Sequence, residues 1–336
     1  MKSVTIDTTA RLALCLIDMN GEKGRVDGCV GFSIKKPNLS LTAALMKEQP
    51  STYLQIENVN LQEQQIIKNV VERYVDLKVI RNGLKVKINS LFSSHQGLGM
   101  GTQLRLSIAA AICTLNNVKF DNVSLANQVA RGGTSGIGVW SFAKGGFIID
   151  GGHSFGEGLD KNSFIPSSKS VCKPPPLLFQ KDFPDEWKIL CFEPCSHQKI
   201  FGETEYRLFR DNCPVSRLEV NELSAIVLMT MLPALVEKNL ANFNFSIEAM
   251  QMIGFKSVVW KAQPQIVKNV KELITSEGLS GVGLSSLGNT MFLVVNSKDQ
   301  IDIQNKLNSL FEKKQINCSI WATSGNNQGA KVLVEN

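Results

Sequence analysis

The feature that most restricts this chain is the run "HQGLGMGTQLRLSIAAA", residues 95–111, in which Gly97, Gly99 and Gly101 lead without a break into a helical stretch. Glycine lets a backbone take positive φ and approach a ligand closely. The first turn of a helix adds unpaired N–H groups and the positive end of a dipole. Such a run makes either an anion cradle or a tight strand-to-helix turn. As a cradle for phosphate or diphosphate it offers the backbone of Gly97, Gly99 and Gly101, with Thr102 and Gln103 as side-chain donors.

Thirteen of the 26 glycines fall in residues 97–158, so the concentration needs a local cause. Within it, "RGGTSGIGVWSFAKGGFIIDGGH" sets Arg131, Thr134 and Ser135 among four glycines, then Asp150 and His153 among four more. The planar fork of an arginine suits phosphate or carboxylate. Two such loops in one domain favour a site over two structural turns, in which Arg131 would be solvated and His153 bonded to backbone. A third segment, "GVGLSSLGNTMFLVV", places Ser285 and Ser286 in a glycine-bounded turn. They add to the donor set, and a plain hairpin explains them too.

Period-two alternation in "VTIDTTARLALCLI", "VGFSI" and "SLTAALM" predicts strands. "LQEQQIIKNVVERYVDL" switches to helical period, with Ile66, Ile67, Val70, Val71, Tyr74 and Val75 on one side. "LKVKINSLF" returns to strand and enters the glycine loop. After "SFIPSSKSVCKPPPLLF", whose prolines cannot serve a helix or a central strand, strands and long helices mix again. At 336 residues the chain is long for one core. The reading is an α+β protein of two domains, residues 1–165 with the glycine-rich phosphate loop and residues 166–336.

A net charge of +6 with acids interspersed, and 7% aromatic residues, lack the footprint of a nucleic-acid binder. Eight unevenly spaced cysteines do not make a secreted disulfide framework. The N-terminus lacks the apolar core of a signal peptide, and no stretch approaches about 20 apolar residues. The expectation is a cytoplasmic protein with small-molecule substrates and neither nucleic-acid nor membrane partners.

Several segments together carry a resemblance: "RLALCLIDMNGEKGRVDGCVGFSIKKP", "HQGLGMGTQLRLSIAAA", "TSGIG" with "GGFIIDGGH", "FGETEYRLF" and "GVGLSSLGNT". They resemble the GHMP kinase superfamily and, within it, the beta-ribofuranosylaminobenzene 5'-phosphate synthase family. The resemblance implies a ribosomal-protein-S5-like N-terminal domain and a ferredoxin-like C-terminal domain with the active site between them. It implies a transferase that joins phosphoribosyl diphosphate to a para-substituted benzoate, losing diphosphate and CO2, in methanopterin-type pterin biosynthesis. Mg2+ is the expected helper. Arg25, Asp27, Arg131, Asp150 and His153 are then the candidate catalytic residues, and Arg25 or Arg131 would hold a carboxylate or phosphate.

The chain departs from the family pattern at Ala13, Cys15, Cys29 and Met100. Ala13 stands where an imidazole is usual, and Met100 where a serine would offer magnesium a hard oxygen. Two other classes therefore stay open, an ATP-dependent small-molecule kinase and a non-catalytic binding relative. Cys191, Cys195 and His197 in "CFEPCSH" lack the spacing of a usual zinc site. Glu203 and Glu205 read as cleft-facing or as an exposed turn. The stripe Leu228, Met231, Leu232 and Leu235 reads as core or as a homodimer contact.

Overall fold

The structure is a computed structural model that describes residues 2–196 and 198–335. Its first sheet is built from β1 (Ser3–Asp18), β2 (Arg25–Pro50), β3 (Leu54–Glu57), β4 (Asn82–Ser90), β5 (Phe147–Asp150), β6 (His153–Ser154) and β7 (Leu177–Lys181). The second sheet holds β8 (Trp187–Pro194), β9 (Gly283–Leu284), β10 (Met291–Asn296) and β11 (Cys318–Thr323). A last strand, β12 (Lys331–Glu335), goes back to the first sheet and pairs with β1. All ladders are antiparallel except β3 on β4.

"VGFSI" and "SLTAALM" are the two halves of the single 26-residue strand β2. They read as separate strands because their burial differs. The first half is buried throughout and pairs with β5, whereas the second alternates and pairs with β4. The sequence division at 165/166 is also crossed, since β7 and β12 both belong to the first sheet. Pro174, Pro175 and Pro176 have no N–H to give a ladder, and β7 begins only after them, at Leu177.

Of the helices, α1 (Leu61–Asp76) buries Ile67, Val70, Val71 and Tyr74, as its period requires. The Asn60 side chain accepts from the N–H groups of Gln62 and Glu63 and so caps it. α2 (Met100–Leu115) is apolar nearly all round and runs through the core. α3 (Asn122–Gln128) and α4 (Ile137–Ala143) complete the first half. The second half adds α5 (Gly202–Asn212), α6 (Arg217–Ile226), α7 (Leu232–Glu237), α8 (Leu240–Gln251), α9 (Gly254–Ala262), α10 (Gln265–Ser276) and α11 (Gln300–Lys313).

A π-helical turn, Val227–Met231, joins α6 to α7 just ahead of Pro233, whose ring disturbs a regular ladder. The resulting 21-residue run, Arg217–Glu237, is long and apolar enough to cross a membrane by length and composition, although the sequence reading found no such stretch. Here Met231 and Leu235 are fully buried in the core, while Leu228 is exposed. The two halves share that core. Phe32 of β2 stacks on Phe183 with ring centroids 4.5 Å apart, and Phe183 meets Trp187 of β8 edge to face.

Candidate active site

β1 supplies the first wall of the site. Its ladder with β2 is irregular between Thr9 and Arg11 and again between Ala13 and Cys15. An extra residue in one strand breaks the alternation and re-aims side chains. Arg11, Ala13 and Cys15, each two residues apart, share one face of the strand and line one cavity, and the adjacent Leu16 joins them there.

Opposite β1 stand Phe209 of α5 and Phe255, Lys256 and Val259 of α9, and the turn before α4 contributes Thr134 and Ser135. This inner chamber holds about 180 Å³. A cavity of about 150 Å³ takes a benzene ring, so one substituted ring fits. An outer chamber of about 560 Å³ lies over Gly97, Gly99 and Gly101, with Arg105 and His95 on its walls. Arg11, Thr102, Arg131, Glu205 and Ser286 line both chambers, which therefore adjoin.

The glycine loop is built for close approach. Gly97 and Gly99 both have φ near 86°, and Gly99 is the left-handed residue that opens α2. A Cβ on Gly97 would collide with the carbonyl of Ser285, and one on Gly99 would come within 3.2 Å of Arg11 Nε. No side chain caps α2 among the described residues, so the N–H groups of Met100 and Gly101 have no intrahelical acceptor.

The charge around the chambers is one-sided. Among the described residues, Arg11, Arg105, Arg131 and Lys256 line them against a single carboxylate, Glu205. Burial lowers Arg11 and Arg105 each to about 10 and Lys256 to about 7. It pushes the Glu205 carboxyl up to about 7 against the pull of Arg131. Among the described residues, Arg11 Nε and Arg131 Nε are buried without a partner. The Arg11 guanidinium also donates to the carbonyl of Gly97. Lys256 Nζ donates to the carbonyl of Ser286 at 2.7 Å.

Of the residues singled out in the sequence, Gly97, Gly99, Gly101, Thr102, Arg131, Thr134, Ser135 and Ser286 lie on these walls, as do Ala13, Cys15, Cys29 and Met100, where the chain departs from the family pattern. Gln103, Ser285, Arg25, Asp27, Asp150 and His153 lie on neither wall, each for a reason visible in its hydrogen bonds. Gln103 is fully buried, accepting from Thr8 Oγ1 at 2.7 Å and donating to the Gly138 carbonyl at 2.8 Å, so its amide is not free for a ligand. Ser285 spans the Gly97 carbonyl and the Ala13 N–H. Arg25 is exposed, with its guanidinium on the carbonyls of Gly151 and Gly152 at 2.9 and 2.8 Å. Asp27 and His153 face each other at 2.6 Å, and Lys161 closes on the same carboxylate at 2.9 Å. Asp150 accepts from the backbone N–H groups of Cys29, Gly136 and Gly152. Burial raises its carboxyl to about 7. These last three acidic and basic sites tie loops together and line neither chamber.

Arg11, Arg105 and Lys256 were missed, although two of them left a sequence signal. Arg11 shares its strand face with Ala13 and Cys15, and Lys256 interrupts the apolar "GFKSVVW". Glu205 faces the cleft, while Glu203 is exposed beside Lys169 and Arg207. Cys191 is buried in β8 and Cys195 is exposed, and His197 lies outside the described residues.

Solved structures with the same architecture include mevalonate diphosphate decarboxylase from Staphylococcus aureus, with TM-score 0.70, 14% identity, and 99% of this chain and 98% of that one covered. Homoserine kinase from Cytophaga hutchinsonii aligns with TM-score 0.66 and 14% identity over 98% and 97% of the two chains. The fold is therefore that of the GHMP kinases, α+β with two sheets. No family model matches the chain. Curated relatives are closer in sequence. The beta-ribofuranosylphenol 5'-phosphate synthase of Methanocaldococcus jannaschii is 37% identical over 336 residues, covering 97% of this chain and 99% of its own length. The protein of the same name in Archaeoglobus fulgidus is 34% identical, covering 97% and 98%. The chain belongs to this synthase family and is an enzyme, a transferase of glycosyl type.

Proposed function

We propose that the enzyme joins the 5-phosphoribosyl group of phosphoribosyl diphosphate to a ring carbon of para-hydroxybenzoate, with diphosphate and CO2 leaving, as a step of methanopterin-type pterin synthesis. The observation that carries this reading is the pair of adjoining chambers, a ring-sized inner one and a wider outer one whose shared wall bears buried, unpartnered guanidinium N–H groups. The names of the relatives, whose product is a ribofuranosylphenol phosphate, support the same substrates.

Chemically, C1 of the ribose must shed a diphosphate, so donors should stand where negative charge grows. Arg11, Arg131 and the α2 N-terminus converge on the outer chamber and supply them before the reaction begins. The ring held in the inner chamber then meets C1 at the shared wall. Magnesium fits this arrangement as a passenger of the diphosphate. Thr102 and Glu205 offer hard oxygens at that wall, and no cluster of three His, Cys, Asp or Glu is present among the described residues. It would supply further charge neutralisation to the leaving group.

Calorimetry with magnesium and either phosphoribosyl diphosphate or ATP tests the donor, and release of carboxyl-labelled CO2 from para-hydroxybenzoate tests the transfer. Phosphoribosyl diphosphate should bind more tightly, and label should be released only when it is present. Tighter ATP binding with phosphate transfer to a small alcohol would replace this reading with a kinase.

A further inference from the structure

Among the described residues, Lys256 is the one charged side chain that lines the inner chamber without also lining the outer one. It is 4% exposed on the buried face of α9, and its hydrogen bond goes to the Ser286 carbonyl. The titratable groups around it are Arg11 and Cys15 of β1, Cys29 of β2, Arg131 after α3, and Glu205 of α5. No titratable side chain of α6 or α8 lines the chamber. An amine with one acceptor keeps capacity for a ligand atom. If the reacting ring carbon meets C1 at the shared wall, the substituent para to it points into the chamber that Lys256 lines.

We propose that Lys256 Nζ is the base that takes the proton of the acceptor's phenolic hydroxyl, so that the ring reacts as a phenolate. This deepens the proposed function and rests on it. Burial holds the amine down to about 7, so the neutral form that can accept a proton is present near physiological pH. The O–H proton moves to Nζ. Charge from the oxygen reaches the para carbon, whose electron pair forms the bond to C1 while the C1–O pair leaves with diphosphate. The ring–carboxylate bond then breaks, its pair restores the aromatic phenolate, and CO2 departs. Lys256 returns its proton to the oxygen, so no oxidant or reductant is needed.

The test uses the full chain with para-hydroxybenzoate and phosphoribosyl diphosphate. Phenolate absorbs at longer wavelength than phenol, so the bound acid should show the phenolate band near neutral pH in the wild type and lose it in Lys256→Met. Turnover of that variant should fall roughly a hundredfold or more, with calorimetric affinity for phosphoribosyl diphosphate unchanged. The rising limb of the wild-type pH profile should vanish, and activity should recover only as the free phenol ionises. With para-aminobenzoate, which has no such proton to give, Lys256→Met should matter far less. A neutral phenol in the wild-type complex overturns the proposal alone, as does full turnover with the same limb in Lys256→Met. Failure of the wild type to bind either substrate overturns the reading of the site and the proposal with it. The wild-type spectrum decides even if the variant does not fold, and Lys256→Gln gives a second substitution.

Discussion

Arg131 reaches the shared wall with Nε buried and without a protein partner, a cost that an anionic ligand in the chamber would offset. Replacing it with Lys keeps the charge and loses the two-donor plane. Affinity for phosphoribosyl diphosphate should fall by about 1–3 kcal/mol in calorimetry, with the melting temperature held. A lower melting temperature at unchanged affinity would make Arg131 structural. Gly99 joins backbone and charge in another way. Gly99→Ala meets about 1–2 kcal/mol of left-handed strain and pushes on Arg11 Nε, so both melting temperature and diphosphate affinity should drop. Gly24→Ala is the control, since Gly24 has φ 74° with open space around it. It should lower stability alone. At this scale the sequence showed which residues were unusual but not which way they face. Met100 stands where a serine would offer magnesium a hard oxygen, and it both lines the outer chamber and packs into the hydrophobic core at 3% exposure. The helical phase that turns its side chain inward is fixed only once Gly99 sets where α2 begins.

Between elements, Asp150 does the work that its glycine-rich surroundings suggested for chemistry. It sits at the end of β5 and accepts from β2 at Cys29, from the N-cap of α4 at Gly136, and from its own turn at Gly152. Asp150→Asn puts an amide NH2 against at least one of these N–H donors. It should cost about 1–3 kcal/mol in denaturant unfolding while leaving the affinity of properly folded protein for phosphoribosyl diphosphate in place. A selective loss of affinity or turnover at unchanged stability would return Asp150 to the chemistry. The elements themselves were legible wherever one period ran long enough. α1, the β9–β10 hairpin and the strand–glycine–helix passage into α2 follow from local pattern. The β1 bulges did not, because a bulge is a relation between two strands and leaves no mark on either alone. The return of β7 and β12 to the first sheet is non-local in the same way.

Across the whole molecule, the charges that make the site useful also set how stability responds to pH. Glu205 has its folded pKa raised to about 7. Between the ordinary carboxylate range and 7 the native state binds more of its proton than the unfolded chain does, so the group lowers stability as pH rises through that window. Lys256 has its folded pKa lowered to about 7. Between 7 and the ordinary lysine value the unfolded chain binds more of its proton, so the penalty is full at and below about 7 and fades as pH rises towards about 10.4. The two buried groups therefore press on the empty enzyme from opposite sides, hardest near neutrality. Melting curves of single variants separate them. The advantage of Lys256→Met over wild type should be greatest at and below neutral pH and shrink towards alkaline pH. That of Glu205→Gln should be small in acid and grow up to neutrality. Substitutions that shift stability equally at every pH would mean that neither group is held away from its ordinary titration, and the electrostatic account of the chambers would fail. Saturating phosphoribosyl diphosphate should raise the wild-type melting temperature more than that of Arg131→Lys, because the anion answers the surplus of buried cations that the fold has gathered at the shared wall.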